Sequence, residues 1–295
     1  MMDTGPTAQS GLRFEVKPSG GALGADVFGF PFKDFTPSEF AAMRAAWAQH
    51  QVLRFRGIDI TDADQIRFSG QLGKFVIHPR QLQEGTHGAH REILVISNQK
   101  KADGTPAGDL GDGEVNWHTD TWFVTRPPSA SILRALQLPP RGGNTYFLNM
   151  YAAYETLSDA LRQAIDGRYI HHQKVIDGRG DVRMNMTRPP TDDVRSWPGV
   201  PHPIVRTHPE SGRQALYLGG KRHAWIIGME PAESTALLDV LWKHVVQERF
   251  VWTQEWRLGD MVMWDNRCVM HRRDAFDPAS IRLMHRTAIE GERPV

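Results

Sequence analysis

The sequence predicts a mainly β fold with flanking helices. Short runs rich in β-branched and aromatic residues recur along the chain and are separated by turns that contain Gly or Pro, which favours a β-sandwich or barrel. Few stretches have helical spacing, and 40% hydrophobic residues suffice for a substantial core. No repeat or linker divides the sequence, so we expect a disordered tail over residues 1–10 and a single domain over residues 11–295.

The first helices have clear start signals. Residues 36–39 (Thr-Pro-Ser-Glu) form a capping box with proline at the first helical position, and the apolar spacing after them predicts a helix to about His50. A second helix should begin near Thr61 or Asp62 and end at Gly73. Two further helices are predicted over residues 152–165 and 232–246.

Strands are predicted over residues 51–55, 93–97, 129–136, 146–148, 204–207, 215–219, 250–256, 261–264 and 283–289. Two long stretches, 99–116 and 177–203, fit no element. In a compact domain such stretches are usually lids or binding loops. The second is therefore a candidate lid over substrate, with an interface or a mobile segment as alternatives.

Charge and hydropathy exclude several classes of protein. The 35 basic and 34 acidic side chains leave a net charge of +1, whereas a dedicated nucleic-acid binder needs a basic excess. Mean hydropathy is −0.45, and no run approaches the roughly 18 apolar residues of a membrane-spanning helix. The first residues lack a secretory signal and the single cysteine, Cys268, has no internal partner, so a cytoplasmic location is expected.

One short motif indicates metal chemistry. His118 and Asp120 are two residues apart, and on an extended backbone both side chains point to the same side. Imidazole and carboxylate together suit a divalent metal such as Fe(II), although this pair alone is more often part of a surface turn. His271 follows a turn and strand over residues 259–266, and a closed β architecture can bring such a distant residue close. Two histidines and one carboxylate would leave three metal positions open.

Longer segments carry a family resemblance: residues 96–98, 117–120, 142–145, 264–267 and 271–286. Through them the sequence resembles the taurine dioxygenase / chlorophenoxyacetate dioxygenase family of Fe(II)- and 2-oxoglutarate-dependent oxygenases. The resemblance implies a double-stranded β-helix (jelly-roll) fold. It also implies that His118, Asp120 and His271 are the metal ligands and the catalytic centre.

The resemblance further assigns the anion-binding residues. Arg282 would pair with the distal carboxylate of the co-substrate 2-oxoglutarate, and Thr145 would add a hydroxyl donor. Arg286 would hold an acidic group of the substrate, and His78 would lie against that group. A bidentate arginine suits a planar carboxylate, and residues four apart on a strand share a face. Two solvated surface arginines are the alternative.

The implied reaction is the oxidative decarboxylation of 2-oxoglutarate to succinate and CO2, which consumes O2 and hydroxylates a small organic acid. An aryloxyalkanoate-like acid, or another carboxylate or sulfonate, is the expected substrate. A carboxylate at Asp120 argues against halogenation. Desaturation or another oxidative rearrangement at the same site is one alternative, and a catalytically idle jelly-roll binding protein is another.

Some substrate positions depart from the family pattern. Gln81 stands where a tyrosine is expected, and Glu114 where an asparagine is expected, which makes taurine itself a doubtful substrate. Glu114 would meet an amine on the substrate if it points inward, and is otherwise a plain loop carboxylate. Phe123 would line the substrate pocket or belong to the core. We expect the protein to bind a small acidic molecule, and to bind neither nucleic acid nor a membrane. The expected assembly is a homodimer or a homotetramer.

Overall fold

The computed structural model describes residues 11–78, 90–177, 180–183 and 185–295, and these residues are mainly β with a few helices, as predicted. The strands are β1 (Glu15–Pro18), β2 (Ala25–Phe28), β3 (Val52–Phe55), β4 (Leu94–Ser97), β5 (Asp109–Leu110), β6 (Val115–His118), β7 (Ala130–Gln137), β8 (Thr145–Asn149), β9 (Tyr169–Gln173), β10 (Gly199–Pro203), β11 (Val205–Thr207), β12 (Gln214–Leu216), β13 (Ala224–Ile226), β14 (Val251–Gln254), β15 (Met261–Asp265), β16 (Val269–Arg273) and β17 (Leu283–Ile289). The helices are α1 (Pro37–His50), α2 (Asp62–Gly70), α3 (Met150–Glu155), α4 (Asp159–Ile165) and α5 (Pro231–Val245).

Two sheets dominate the architecture. The larger has eight strands in the order β1-β2-β3-β15-β7-β17-β4-β5, antiparallel except for the β2–β3 and β4–β5 pairs. The smaller is antiparallel, in the order β14-β8-β16-β6. Strands from late in the chain, β15, β16 and β17, therefore lie between earlier strands. This interleaving brings residues distant in sequence to one site.

Alternate side chains of the larger sheet face two different cores. Ile132 of β7 and Met263 of β15 pack with α1 and α2 on one face. Their neighbours Leu133 and Trp264 pack on the opposite face, against residues of the smaller sheet. This alternation is the two-residue period of a strand. The Phe147 ring of β8 lies 5.5 Å from that of Trp264, so the second core fills the space between the two sheets.

The helix starts follow the sequence signals. Thr36 and Glu39 form the predicted capping box, and Glu39 Oε2 accepts from the backbone N–H of Thr36 at 2.8 Å. Thr61 caps α2, as predicted, although that helix ends at Gly70 rather than Gly73. The single helix predicted over 152–165 is wrong: α3 and α4 are separate, because the Ser158 side chain accepts from a backbone N–H and starts a new helix.

The two unassigned stretches contain regular structure. Residues 99–116 include β5 and the start of β6, and residues 177–203 include β10 and a 3-10 turn over Val194–Ser196. Residues 178, 179 and 184 of the candidate lid, the predicted tail over 1–10 and Gln81 lie outside the described residues. Within the described part of the chain, the helices are too short or too polar to cross a membrane.

Candidate active site

Strand pairing brings His118 and His271 together. His118 is the last residue of β6, and β6 pairs with β16 so that His118 lies opposite His271. After His118 the chain turns toward a neighbouring loop, where the Thr119 N–H donates to the Gly219 carbonyl at 2.9 Å. This turn places Asp120 beside both histidines.

The three side chains converge on one point. Asp120 Oδ1 lies 4.0 Å from His118 Nε2 and 3.9 Å from His271 Nε2. One potential ligand atom from each residue lies within 4.8 Å of the others, and all three residues are largely buried. The two imidazole rings are 4.2 Å apart. Two imidazoles and one carboxylate at this spacing fit a divalent metal with open positions.

Hydrogen bonds orient two of these side chains. His118 Nδ1 lies 2.8 Å from the Asn116 carbonyl; a proton on Nδ1 directs the lone pair of Nε2 toward Asp120. Ser131 Oγ donates to Asp120 Oδ2 at 2.7 Å and accepts from Asn266 Nδ2 at 3.1 Å. Sequence reasoning missed Ser131, although a serine within the apolar run of β7 was the available signal.

Charges around the triad favour the protonation states that a metal needs. Burial opposes the ionised form of Asp120, but Arg286, whose Nη1 donates to Asp120 Oδ1 at 2.8 Å, and then the two histidines hold its pKa well below the usual range. Burial lowers the pKa of His118, and burial and then His118 lower the pKa of His271 to about 3. At neutral pH the site therefore offers one carboxylate and two neutral imidazoles, the forms that bind metal.

Arg282 is a buried cation. Its side chain is 2% exposed, and neither Nε nor Nη2 has a hydrogen-bond partner among the residues that the structure describes. Burial, followed by the charge of Arg273, lowers the pKa of Arg282 to about 9. A side chain at Gly143 would place Cβ 3.2 Å from Arg282 Cδ, so the glycine makes room for the guanidinium. A buried cation that lacks an anion is costly, and this arrangement suits an anionic ligand.

Trp256 connects Arg282 with Thr145. Trp256 Nε1 donates to Thr145 Oγ1 at 3.0 Å, and the Trp256 ring lies 5.9 Å from Arg282 Cζ. Thr145 begins β8 and is buried. The structure thus brings the two residues predicted for 2-oxoglutarate to one region. Trp256 was not predicted, because nothing local to its sequence marks it.

The predicted substrate residues have different surroundings. Phe123 is half-buried and its ring lies 5.5 Å from that of Trp122, which in turn lies 5.9 Å from the His118 ring. Glu114 is 58% exposed, 3.9 Å from Arg272, and the structure does not bring it to the triad. His78 Nδ1 lies 3.9 Å from a carboxylate oxygen of Asp109.

A cavity of about 770 Å³ opens beside His118. Trp117, Trp122 and Trp242 line it, together with charged side chains of both signs: Lys221, Arg222, Lys243, Asp177 and Asp239. Lys221 is paired with Asp239 at 2.9 Å. Aromatic walls with a few charged groups are typical of sites for small organic molecules.

Comparisons with known proteins place the chain among dioxygenases. The model of the family described as "Taurine catabolism dioxygenase TauD, TfdA family" matches residues 15–288. The (S)-phenoxypropionate/alpha-ketoglutarate-dioxygenase of Delftia acidovorans is 32% identical over 289 residues, covering 94% of this chain and 95% of the relative. An alpha-ketoglutarate-dependent sulfate ester dioxygenase of Pseudomonas putida is 33% identical over 298 residues, covering 98% of this chain and 93% of that relative. A crystal structure of AAD-2 in complex with Mn(II) and N-oxalylglycine is 31% identical with a TM-score of 0.76, covering 95% of this chain and 98% of that one.

Proposed function

The chain belongs to the TauD/TfdA family of dioxygenases, and on that premise we propose which of its residues carry the reaction and which substrate it takes. The membership confirms the resemblance predicted from the sequence. The protein is an enzyme, a 2-oxoglutarate-dependent dioxygenase that uses Fe(II) and O2. It is therefore not an idle binding protein.

For the fold, we propose that the two facing sheets form the double-stranded β-helix, or jelly-roll, implied by the family. The continuous match over residues 15–288 supports a single domain over residues 11–295. The lone, buried Cys268 supports a cytoplasmic location. A homodimer or homotetramer stays a prediction.

For the metal, we propose His118, Asp120 and His271 as the ligands of Fe(II). When bound, the iron supplies the site at which O2 is activated and 2-oxoglutarate is decarboxylated. The chain prepares the ligands: Ser131 and Arg286 hold one oxygen each of the Asp120 carboxylate. A carboxylate fixed at both oxygens does not need to reorganise before it binds a cation.

For 2-oxoglutarate, we propose that Arg282 binds the distal carboxylate through its unpaired donors. Thr145 accepts from Trp256, which leaves its hydroxyl hydrogen to donate to the same carboxylate. The planar guanidinium can form two parallel hydrogen bonds to a carboxylate. Burial excludes water that would otherwise compete for these donors.

For the substrate, we propose a small organic acid of the aryloxyalkanoate type, or another carboxylate or sulfonate, which is hydroxylated. Arg286, His78 and Phe123 are the proposed substrate-binding residues, whereas the exposure of Glu114 supports its reading as a plain loop carboxylate. The relatives named for phenoxypropionate and sulfate esters support an acidic substrate. The observation that carries the proposal is the convergence of His118, Asp120 and His271 beside a tryptophan-lined cavity.

The test is a panel of aryloxyalkanoates, alkyl sulfates and sulfonates, incubated with the purified protein, Fe(II), ascorbate and 2-oxoglutarate. We expect succinate and a matched amount of oxidised product with at least one acid, and neither with Asp120→Ala. A product that gains one oxygen atom indicates hydroxylation, and one that loses two hydrogens indicates desaturation. If no acid of the panel raises the amount of succinate above that formed without substrate, the proposed substrate class is wrong.

A further inference from the structure

The guanidinium of Arg183 stacks on an aromatic ring near the triad. Its Cζ lies 3.6 Å from the centroid of the Phe123 ring and 5.4 Å from that of Trp122. The backbone fixes this placement, because the Arg183 N–H donates to the Val175 carbonyl at 2.8 Å and Val182 pairs with Ile176 in an isolated bridge. Arg183 is therefore held against the rings by main-chain contacts as well as by its own side chain.

Among the described residues, no carboxylate forms a hydrogen bond or a close ion pair with Arg183, and the charge of Asp177 offsets that of Arg183 only in part. Within the described ranges the one side-chain hydrogen bond of Arg183 is long, from Nη2 to the Ile176 carbonyl at 3.4 Å, and its buried Nε has no partner there. Burial lowers the pKa of Arg183 to about 10, partly opposed by the charge of Asp177. A stacked guanidinium keeps its N–H groups at the edge of the plane, where an anion can accept from them.

The stack reaches the metal site through Trp122. The Trp122 ring lies 5.4 Å from Arg183 Cζ and 5.9 Å from the His118 ring, so the aromatic rings lead from Arg183 to the triad. Arg286 already shares its charge with Asp120 at 2.8 Å. Arg183 is thus a cation beside the triad with capacity for an added anion.

We propose that Arg183 adds a second arginine contact, beside that of Arg286, to the anionic group of the substrate, with Phe123 as the platform that fixes the plane of the Arg183 guanidinium. The inference rests on the proposed function, because it names a specificity residue of the same site. The ligand class is a carboxylate or sulfate group with two oxygens in one plane, which the fork of the guanidinium matches. The charge of Arg282 is left for 2-oxoglutarate.

The test uses an acid that the wild type oxidises and the neutral primary amide of that acid. Arg183→Met removes the charge but retains an unbranched apolar side chain, and Arg183→Lys retains the charge without the planar fork. Arg188→Met is the matched control, because Arg188 is an exposed arginine on the same segment, 5.9 Å from the Trp197 ring. For each variant, KM and kcat are measured for the acid and the amide, and KM is measured for 2-oxoglutarate.

We expect Arg183→Met to raise KM for the acid by about 10- to 100-fold, the size of a lost hydrogen bond to a charged group, while KM for the amide and for 2-oxoglutarate stays at the wild-type value. For Arg183→Lys, KM for the acid should lie between the values of the wild type and of Arg183→Met. For Arg188→Met it should match the wild type. An unchanged KM for the acid in Arg183→Met, or equal losses for acid and amide, would overturn the inference and leave the proposed function standing. A wild type that neither binds nor oxidises any acid would remove both.

Discussion

Replacing Arg282 by methionine should have opposite effects on stability and on co-substrate binding. The substitution removes a buried charge and keeps a long apolar stem beside Gly143 and Trp256. If Arg282 binds an anion, its unmatched charge lowers the free energy of unfolding of the protein that has no ligand. The variant should therefore fold at least as stably as the wild type, and bind 2-oxoglutarate much more weakly.

The structure sets the size of both effects. Arg282 is 2% exposed, and in the described part of the chain two of its three side-chain nitrogens have no partner, so the buried charge is poorly compensated. Replacing poorly compensated buried charges by apolar residues is often neutral or stabilising, by about 1–4 kcal/mol. Losing one partner of a buried charge pair with the ligand costs about 2–5 kcal/mol, or about 30- to 4,000-fold in Kd.

The assay is equilibrium unfolding in urea with Mn(II), in the absence and in the presence of 2-oxoglutarate. Ligand that binds only the folded state raises the free energy of unfolding in proportion to the logarithm of its concentration over Kd. Arg206→Met is the matched control, since Arg206 is equally buried but is paired with Glu292. That variant should lose about 1–3 kcal/mol of stability and keep its response to 2-oxoglutarate.

Two results would refute the reasoning. If 2-oxoglutarate stabilises Arg282→Met as much as it stabilises the wild type, the co-substrate binds elsewhere. If Arg282→Met is destabilised as strongly as Arg206→Met, the guanidinium of Arg282 has a structural partner and is not waiting for a ligand. Neither result can be attributed to unfolding, because stability is itself the quantity measured.

Three further predictions concern other groups. Ser131→Ala frees one oxygen of the Asp120 carboxylate and should weaken Mn(II) about 10- to 100-fold in a calorimetric titration; unchanged affinity would contradict the orienting role. Arg286→Gln should raise KM for the acidic substrate and leave KM for 2-oxoglutarate unchanged, and steady-state kinetics with a rise only for 2-oxoglutarate would reverse the assignment. Burial lowers the pKa of His202 from 6.5 to about 4, so its contribution to stability is complete above pH 6.5 and is lost as pH falls toward 4. In urea unfolding over this range the wild type should lose about 3 kcal/mol more than His202→Gln, and parallel losses would show that His202 does not titrate in this way.

Local signals predicted the helix starts, and long-range packing decided the rest of the fold. The capping boxes of α1 and α2 depend on residues three apart, so the sequence shows them directly. β1 was missed because its side chains are mostly exposed and carry no apolar alternation. The break between α3 and α4 was missed because Leu157 continues the apolar spacing while Ser158 caps a new helix.

The candidate site divides in the same way. The short spacing of His118 and Asp120 indicates a metal, a closed β architecture made His271 a candidate third ligand, and the resemblance supplied the role of Arg282. The sequence marks Ser131 only as a polar residue within the apolar run of β7 and gives no local sign of Trp256, because their contacts with Asp120 and Thr145 depend on the tertiary arrangement of separate segments. The periodicity of a single helix or strand relates only residues within that element, so it cannot relate residues on separate segments.

Pairing separates two classes of buried arginine that look alike in the sequence. Arg267 donates to both oxygens of Asp265, and Arg54 does so to Asp26, so each of these charges is matched within the chain. Arg282 and Arg183 are also withdrawn from solvent, yet neither has a carboxylate partner among the described residues. A folded chain tolerates a buried cation without a carboxylate partner where an anionic ligand supplies the missing charge. The free energy that the unmatched cation costs is then recovered when the ligand binds. The positions of these arginines are therefore the ones we propose for the two anions, with Arg282 beside Thr145 for 2-oxoglutarate and Arg183 above the aromatic rings, with Arg286, for the substrate.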